Sequence, residues 1–272
     1  MTDKPIVVLG GTGKTGRRVA SQLQERGHLI RVASRSSAHR FDWYDRSTWA
    51  AVLDGAAAVY VVDSESPDAA EQLRDFGALA AERGVERLVY LSVRGGEQAG
   101  DQDLLSKEAI VKEAGPTWTI LRPSWFAQNF GELFILADGV AAGELRLPTG
   151  DGREPFVDAE EIAAVAVAAL TEDGHGGQTY ELSGPRSLSF GEAVAEIAEA
   201  TGREIRYVPL TEEEYAAELT AQGLPPEVVT LLNELFRRVR ENRDDHLSDG
   251  VQRVLGREPA DFATYVQRTR FF

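Results

Sequence analysis

The sequence predicts an α/β protein with a doubly wound parallel sheet, because apolar strand-like runs alternate with helix-like segments from residue 6 onward. Two further observations support this fold class. A glycine-rich turn joins the first strand to the first helix, and the run over residues 56–62 is apolar throughout, as in a strand buried on both faces. The segments after residue 185 predict a small C-terminal α/β lobe.

Glycines and prolines mark the ends of the predicted elements of the sheet. Strands are predicted over residues 6–9, 28–33, near 42, 56–62, 85–91 and 117–122, with 178–182 as the last strand. Helices are predicted over residues 17–23, 47–53, 67–83, 103–114 and 159–170. Because parallel strands need crossover connections, their carboxyl ends share one edge of the sheet, where functional groups are expected.

The rest of the chain predicts a lobe beside the sheet. We expect residues 1–272 to form a single dinucleotide-binding type of domain, with a substrate-side lobe from about residues 185–272 plus the loop region 124–155. In this lobe, strands are predicted over residues 143–148 and 205–210. Helices are predicted over residues 190–201, 211–222, 226–240 and 259–268.

Composition excludes several classes of function. The net charge of −15 argues against binding nucleic acid through its phosphates, which needs a basic face. The absence of cysteine excludes disulfides and fits a reducing compartment. No apolar run approaches the roughly 20 residues of a membrane span, and no signal peptide is expected. We therefore expect a cytoplasmic protein whose partner is a small-molecule substrate.

The turn after the first strand carries the spacing G-x-x-G-x-x-G. Here Gly10 permits a sharp turn, Gly13 lets the backbone approach a diphosphate, and Gly16 lets the helix pack close to the strand. A P-loop would need glycine where Val8 stands, so that alternative fails. The motif predicts a dinucleotide site of the Rossmann type, with a glycine-rich turn that holds no ligand as the other interpretation.

The residues after the second and third strands indicate which dinucleotide is bound. Ser34 and Arg35 stand where an acid would select NAD, and the guanidinium of Arg35 matches a 2′-phosphate. The sequence therefore favours NADP(H), with a surface arginine as the alternative. Asp42 and Trp43 follow the third strand, where Trp43 can pack on the adenine or in the core.

Polar and aromatic residues follow three later strands, at the edge where the nicotinamide and the substrate are expected. Val62 and Asp63 follow one strand and Ser92 follows another. The loop after residue 123 adds three candidates, which are Trp125, Phe126 and Asn129.

A short-chain dehydrogenase normally carries Tyr-x-x-x-Lys, which protonates a carbonyl oxygen, and this pair is missing. Four residues before Lys107 stands Asp103, and four before Lys112 stands Glu108. We expect Lys107 to be a solvated helix lysine, with a position facing the nicotinamide ribose as the alternative. The four histidines have no metal-ligand spacing, and no G-x-S-x-G nucleophile elbow occurs.

Taken together, these residues resemble the NmrA-like atypical short-chain dehydrogenases. The resemblance to the family rests on residues 10–16, Arg35, 119–123, Phe126, Asn129, 148–152, 156–158 and 180–185. Residues 31–35, 41–45 and 48–49 are similar to the branch of fungal ergot-alkaloid reductases of the agroclavine dehydrogenase type. The resemblance implies a Rossmann fold with a C-terminal lobe. It also implies that NADP(H) is held by Thr12, Gly13, Lys14, Thr15 and Arg35. Related quinone reductases have a histidine where this chain has Leu104 or Leu105, so quinone is not singled out as the substrate.

The sequence thus predicts an NADPH-dependent reductase of the secondary-metabolism type that delivers hydride to an iminium, a quinone or a conjugated carbonyl without a Tyr–Lys acid. The catalytic residues stay unassigned among the candidates after residues 91 and 123. The alternative is a non-catalytic NADP(H)-binding redox sensor that acts through a protein partner. An epimerase ranks lower, because it would need the missing tyrosine acid.

Overall fold

The computed structural model of the chain describes residues 4–271, apart from the side chain of Phe134. The chain alternates between two compact units. Unit 1 contains the residues up to Pro123, then Ala159–Leu182 and Asp249–Glu258; unit 2 contains Ser124–Asp158, Ser183–Ser248 and the residues from Pro259 onward. Among the described residues, no helix has the length and apolar character needed to cross a membrane.

The described strands are β1 (Ile6–Leu9), β2 (Ile30–Ser34), β3 (His39–Arg40), β4 (Ala58–Val61), β5 (Arg87–Leu91), β6 (Thr117–Pro123), β7 (Glu144–Leu147), β8 (Arg153–Glu154), β9 (Gln178–Leu182), β10 (Leu188–Ser189) and β11 (Arg206–Pro209). The described helices are α1 (Gly16–Glu25), α2 (Trp49–Leu53), α3 (Ala69–Glu82), α4 (Gly96–Ala99), α5 (Gln102–Glu113), α6 (Asn129–Glu132), α7 (Phe134–Ala142), α8 (Ala159–Thr171), α9 (Phe190–Thr201), α10 (Glu212–Ala221), α11 (Pro226–Arg240), α12 (Gly250–Leu255) and α13 (Phe262–Arg268).

Unit 1 is a seven-stranded sheet in the order β3-β2-β1-β4-β5-β6-β9, with every neighbouring pair parallel. The chain winds outward from β1 to β3 and then crosses back to β4 on the other side of β1. The predicted doubly wound Rossmann-type fold is confirmed. The reversal of strand order between β1 and β4 creates the crevice where such sheets bind nucleotides.

Burial of unit 1 follows the predicted hydrophobic pattern. All residues of β1 and β4 are buried, as expected for central strands of a parallel sheet. Helix α8 packs against α1, α12 and three strands, so it is buried on nearly all of its residues. The strand expected to end near residue 42 ends at Arg40, and β3 pairs with β2 only at His39 and Arg40.

Unit 2 contains two small sheets, an antiparallel β8–β10 pair and a parallel β7–β11 pair, with helices packed on a shared apolar core. Helices α9 and α10 each begin with a complete capping box, Ser189 with Glu192 and Thr211 with Glu214. The region expected as loop over residues 124–155 also contains α6 and α7.

Helix α12 was not predicted, and it belongs to unit 1 although its sequence lies within the expected C-terminal lobe. Gly250 at its start packs directly on β9, because a Cβ at this position would lie 2.1 Å from the carbonyl oxygen of Glu181. Only glycine allows the helix to approach the strand this closely.

Candidate functional site

The turn between β1 and α1 is packed so tightly that it presents bare backbone. Gly10 has a φ of +60°, and its carbonyl oxygen accepts a hydrogen bond of 2.8 Å from the Gly13 N–H. A Cβ on Gly16 would lie 2.3 Å from that same oxygen, and a Cβ on Gly11 would lie 2.6 Å from the side chain of Val32. The turn therefore has the shape that lets a diphosphate rest on the main chain.

Helix α1 begins at this turn without a side-chain cap. Thr15, the N-cap residue, is buried and makes no capping hydrogen bond through its side chain, while Thr12 is exposed at the tip of the turn. The half-buried Lys14 adds a positive charge beside the positive end of the helix dipole. This combination of glycine cradle and uncapped helix start fits the diphosphate of a dinucleotide.

A rigid serine turn follows β2. The Ser34 N–H donates to Ser37 Oγ at 2.8 Å, and the Ser36 N–H donates to Ser34 Oγ at 3.3 Å. These bonds fix the backbone on either side of Arg35, whose side chain is exposed. The turn thus presents a guanidinium, and no carboxylate, at the end of β2, where an adenosine ribose would lie in this fold.

The aromatic residue predicted to meet the adenine is partly engaged in the core. Trp43 packs edge-to-face against Phe41, Trp49 and Phe76, with ring centroids 4.9 to 5.6 Å apart. Its indole N–H donates to the Val62 carbonyl at 3.0 Å. The half-buried ring therefore connects the loop after β3 to the loop after β4, and stacking on a base stays a prediction.

Two cofactor candidates, Asp42 and Asp63, hold their own loops in place. Asp42 Oδ1 accepts a hydrogen bond of 3.1 Å from the Tyr44 N–H. Asp63 Oδ1 accepts one of 3.0 Å from the N–H of Glu65, which has a φ of +52°. Asp63 follows β4 beside the crevice, since a Cβ on Gly10 would lie 3.8 Å from the Cβ of neighbouring Val62.

The other oxygen of Asp63 receives a tyrosine and a lysine from distant parts of the sequence. Tyr90 in β5 donates to Asp63 Oδ2 at 2.7 Å, and the ammonium of Lys107 lies 3.5 Å from the same oxygen and 2.9 Å from Asp103. The side chain of Lys107 is only 12% exposed. The expectation of a solvated lysine is therefore wrong.

Burial and the neighbouring carboxylates set the charges of this cluster. Burial, and then the charge of Asp63, raises the pKa of Tyr90 far above its usual range, so the phenol stays protonated as a donor. Burial alone would lower the pKa of Lys107, but Asp103 and Asp63 outweigh it and the pKa is raised. The cluster holds one cation between two carboxylates at the carboxyl edge of the sheet.

The candidate Ser92 belongs to a second buried network. Its hydroxyl donates to Glu108 Oε1 at 2.7 Å, and Arg122 donates to both oxygens of Glu108 at 2.8 and 2.6 Å. Burial raises the pKa of Glu108, yet the hydrogen bonds from Arg122 and Ser92 lower it further, so the carboxyl is ionised. The Ser92 hydroxyl is thus positioned as a donor to this carboxylate.

The three candidates after β6 lie in unit 2. Trp125 is half-buried, and its ring centroid lies 5.5 Å from those of both Phe190 and Phe236. Phe126 forms a bridge with Val157, and its carbonyl accepts from the N–H of Asn129, the first residue of α6. The loop is therefore held by backbone pairing, with Trp125 at one end of a row of aromatic rings.

The structure also adds Tyr90, which the sequence did not single out, to the candidates Asp63 and Lys107. Their meeting was missed because only a four-residue spacing was tested. The available signal was a phenol near the end of a strand that is apolar after its first residue, Arg87. Among residues 4–271, no group of three or more histidine, cysteine, aspartate or glutamate side chains is arranged to hold a metal ion.

Comparison with known proteins places these features in a family. The model of the NmrA-like family matches residues 2–266. Agroclavine dehydrogenase from Claviceps fusiformis is 33% identical, over 96% of this chain and 96% of that protein. An NAD(P)H azoreductase from Xenophilus azovorans is 31% identical, again over 96% of each chain.

Solved structures show the same fold. The structure of an NADPH-dependent quinone oxidoreductase from Escherichia coli, complexed with NADPH, superposes with a TM-score of 0.81. It is 23% identical, and the match covers 96% of this chain and 98% of that chain.

Proposed function

The chain belongs to the NmrA-like family, and we propose that it is an NADPH-dependent reductase that transfers hydride to an iminium, a quinone or a conjugated carbonyl compound. The observation that carries the proposal is the uncapped glycine turn at the strand-order reversal, with Arg35 in place of an acid at the end of β2. The names of relatives about 30% identical describe a dehydrogenase and an NAD(P)H azoreductase. These names support an oxidoreductase that uses a nicotinamide cofactor.

Each part of the cofactor has a counterpart in unit 1. The backbone from Gly10 to Gly16 and the start of α1 would hold the diphosphate, with Lys14 adding charge. Arg35 would hold the 2′-phosphate through its planar donor fork. When bound, the reduced nicotinamide supplies the hydride, and the protein's main contribution is to place the electrophile against it.

The protonation chemistry of unit 1 favours electrophiles that need no strong acid. Tyr90 is buried and donates to Asp63, and Ser92 donates to Glu108, so both hydroxyl protons are already engaged. Hydride addition to an iminium gives a neutral amine and requires no proton. A quinone or enone delocalises the charge and can take its proton from water, whereas a simple ketone would lose about a hundredfold in rate without an acid.

A turnover panel with matched arginine variants tests the proposal. We expect purified protein to oxidise NADPH, followed by absorbance, with at least one iminium, quinone or enone. Arg35→Ala should raise the KM for NADPH by about 10- to 100-fold, since a charge-assisted contact to phosphate is lost, and leave the KM for NADH nearly unchanged. Arg26→Ala removes an exposed arginine at the other end of α1 and should change neither constant.

Two results would overturn the proposal. Tight binding of NADPH without oxidation by any member of the panel would exclude the reductase. Equal binding of NADP⁺ and NADPH, again without turnover, would instead support a redox sensor that acts through a protein partner.

A further inference from the structure

The side chain of Arg18 reaches back from the first turn of α1 to the glycine turn. Its Nη1 donates to the carbonyl oxygen of Lys14 at 2.7 Å, and the side chain is only 15% exposed. The backbone bond that normally fills such a carbonyl is missing, because the N–H of Arg18 donates to the carbonyl of Thr15 at 3.0 Å. A charged side chain thus replaces a backbone donor at the residue before the N-cap.

This contact sets the direction of the peptide between Lys14 and Thr15. The peptide is trans, so its C=O and its N–H point in opposite directions. Because the donor to the carbonyl comes from one turn further along α1, the carbonyl points along the helix and the N–H of Thr15 points out of its N-terminal end. Within the described range of the chain, that N–H has no acceptor. It is therefore an available donor where the diphosphate is proposed to bind.

A second contact fixes the guanidinium of Arg18 in this position. Its Nε donates to Glu160 Oε1 at 3.0 Å, and Glu160 lies on the first turn of α8. Glu160 is also held by Gln22 of α1, whose amide donates to Oε2 at 2.9 Å and to the carbonyl oxygen at 3.1 Å. With one donor on a carboxylate and another on a carbonyl, the planar guanidinium has little freedom to turn away.

We propose that Arg18 is a positioning residue for the cofactor, which holds the carbonyl of Lys14 and thereby directs the N–H of Thr15 at the diphosphate. The guanidinium is engaged by Lys14 and Glu160, so its effect passes through the main chain. The assignment of the diphosphate to NADP(H) rests on the proposed reductase function.

Two ligands without a nicotinamide separate this role from a purely structural one. The compound 2′-phospho-ADP-ribose contains the diphosphate and the 2′-phosphate, whereas 2′-AMP contains the 2′-phosphate alone. Arg18→Met should weaken binding of 2′-phospho-ADP-ribose about tenfold in calorimetry, because one hydrogen bond to phosphate loses its alignment. Binding of 2′-AMP should change less than about twofold, since Arg35 is the proposed partner of that phosphate. A general loss of structure would weaken both ligands alike.

Two neighbouring residues of α1 provide matched controls. Gln22→Leu removes the other link between α1 and Glu160 but leaves the carbonyl of Lys14 paired. It should lower the Tm by about 2 to 4 °C, as Arg18→Met should, and leave the Kd of 2′-phospho-ADP-ribose unchanged. Arg17→Met removes the same charge from an exposed position on the same helical turn, so it should change this Kd by less than about twofold.

The controls define the results that overturn the positioning role. Equal weakening of 2′-phospho-ADP-ribose by Arg18→Met and Arg17→Met would assign the effect to charge alone. Equal weakening by Arg18→Met and Gln22→Leu would assign it to the contact between α1 and α8. An unchanged Kd in Arg18→Met would likewise overturn the role.

Failure of the reductase function is distinguishable from failure of the positioning role, because these measurements need no turnover. If the wild type oxidises no NADPH, selective weakening of 2′-phospho-ADP-ribose in Arg18→Met still supports the role of Arg18. If the wild type binds 2′-phospho-ADP-ribose no more tightly than 2′-AMP, the turn holds no diphosphate, and the role of Arg18 is overturned.

Discussion

Replacement of Glu108 by glutamine should destabilise unit 1 strongly, because this side chain connects α5 to β6 and to the loop after β5 through one carboxylate. Glu108 is 1% exposed, and its two oxygens accept from Ser92 after β5 and from Arg122 in β6. Glutamine keeps the shape but offers one acceptor and a pair of N–H donors. One N–H of the Arg122 guanidinium, which is only 12% exposed, would then face another donor.

The expected loss is about 3 kcal/mol in the free energy of unfolding. Removal of one partner of a buried ion pair lowers the free energy of unfolding by about 3 to 5 kcal/mol, because the remaining charge stays buried and uncompensated. Here Arg122 retains a second carboxylate, Glu97, at 2.9 Å, which places the loss at the lower end. Glu97 is 61% exposed, so Glu97→Gln on the same guanidinium should cost less than about 1 kcal/mol.

Urea unfolding followed by circular dichroism measures both variants, and acid pH provides an independent check. The pKa of Glu108 is lowered in the folded state, so its contribution is complete above its unfolded pKa of about 4.3 and is lost as the pH falls through the folded value. The difference between wild type and Glu108→Gln should therefore shrink below about pH 4. Equal losses for Glu108→Gln and Glu97→Gln would refute the assignment of the buried carboxylate as the main partner.

Two further predictions concern the carboxyl edge of unit 1. Lys107→Met removes the cation between two carboxylates and should lower the free energy of unfolding in urea by about 2 kcal/mol. Lys4→Met removes an exposed ion pair and should lower it by less than about 1 kcal/mol. Similar losses in the two variants would contradict the argument that burial strengthens the Lys107 pair. Gly13→Ala adds a Cβ 3.1 Å from the Gly10 carbonyl oxygen, a tight contact that a shift of a few tenths of an ångström relieves. The Tm should therefore fall by no more than about 2 °C, while the added methyl group weakens NADPH binding about tenfold or more in calorimetry. Gly16→Ala places its Cβ 2.3 Å from a carbonyl oxygen, so it should lower the Tm more than Gly13→Ala does. A larger loss of Tm in Gly13→Ala than in Gly16→Ala would contradict the assignment of this turn as the diphosphate site.

The fold was predictable because its signals are local. The central strands β1 and β4 of unit 1 are short apolar runs, and the spacing of Gly10, Gly13 and Gly16 specifies the turn by steric necessity. Helix α12 escaped prediction because its six residues carry little periodic pattern. Its position depends on contact between Gly250 and a strand far away in the sequence.

The chemistry of the site was less accessible to sequence analysis. Whether Tyr90 and Lys107 meet at Asp63 depends on the order of strands in the sheet, which hydrophobic periodicity does not encode. The sequence likewise does not show that the hydroxyl of Tyr207 lies 2.9 Å from Thr149 Oγ1, since the two residues are far apart along the chain. Spacing rules detect motifs within one turn or helix, whereas these side chains are positioned by tertiary packing.

The alternation of the chain between its two units determines how the protein folds during synthesis and how it tolerates truncation. Unit 1 is completed by residues 249–258 and unit 2 by the residues after them, so neither exists as a continuous piece of sequence. A ribosome must therefore deliver nearly the whole polypeptide before either unit can finish folding. Truncation near residue 248 would remove α12 from unit 1 as well as α13 from unit 2. Engineering of this protein should therefore use substitutions in the full-length chain, because no single segment can be cut out as an intact unit.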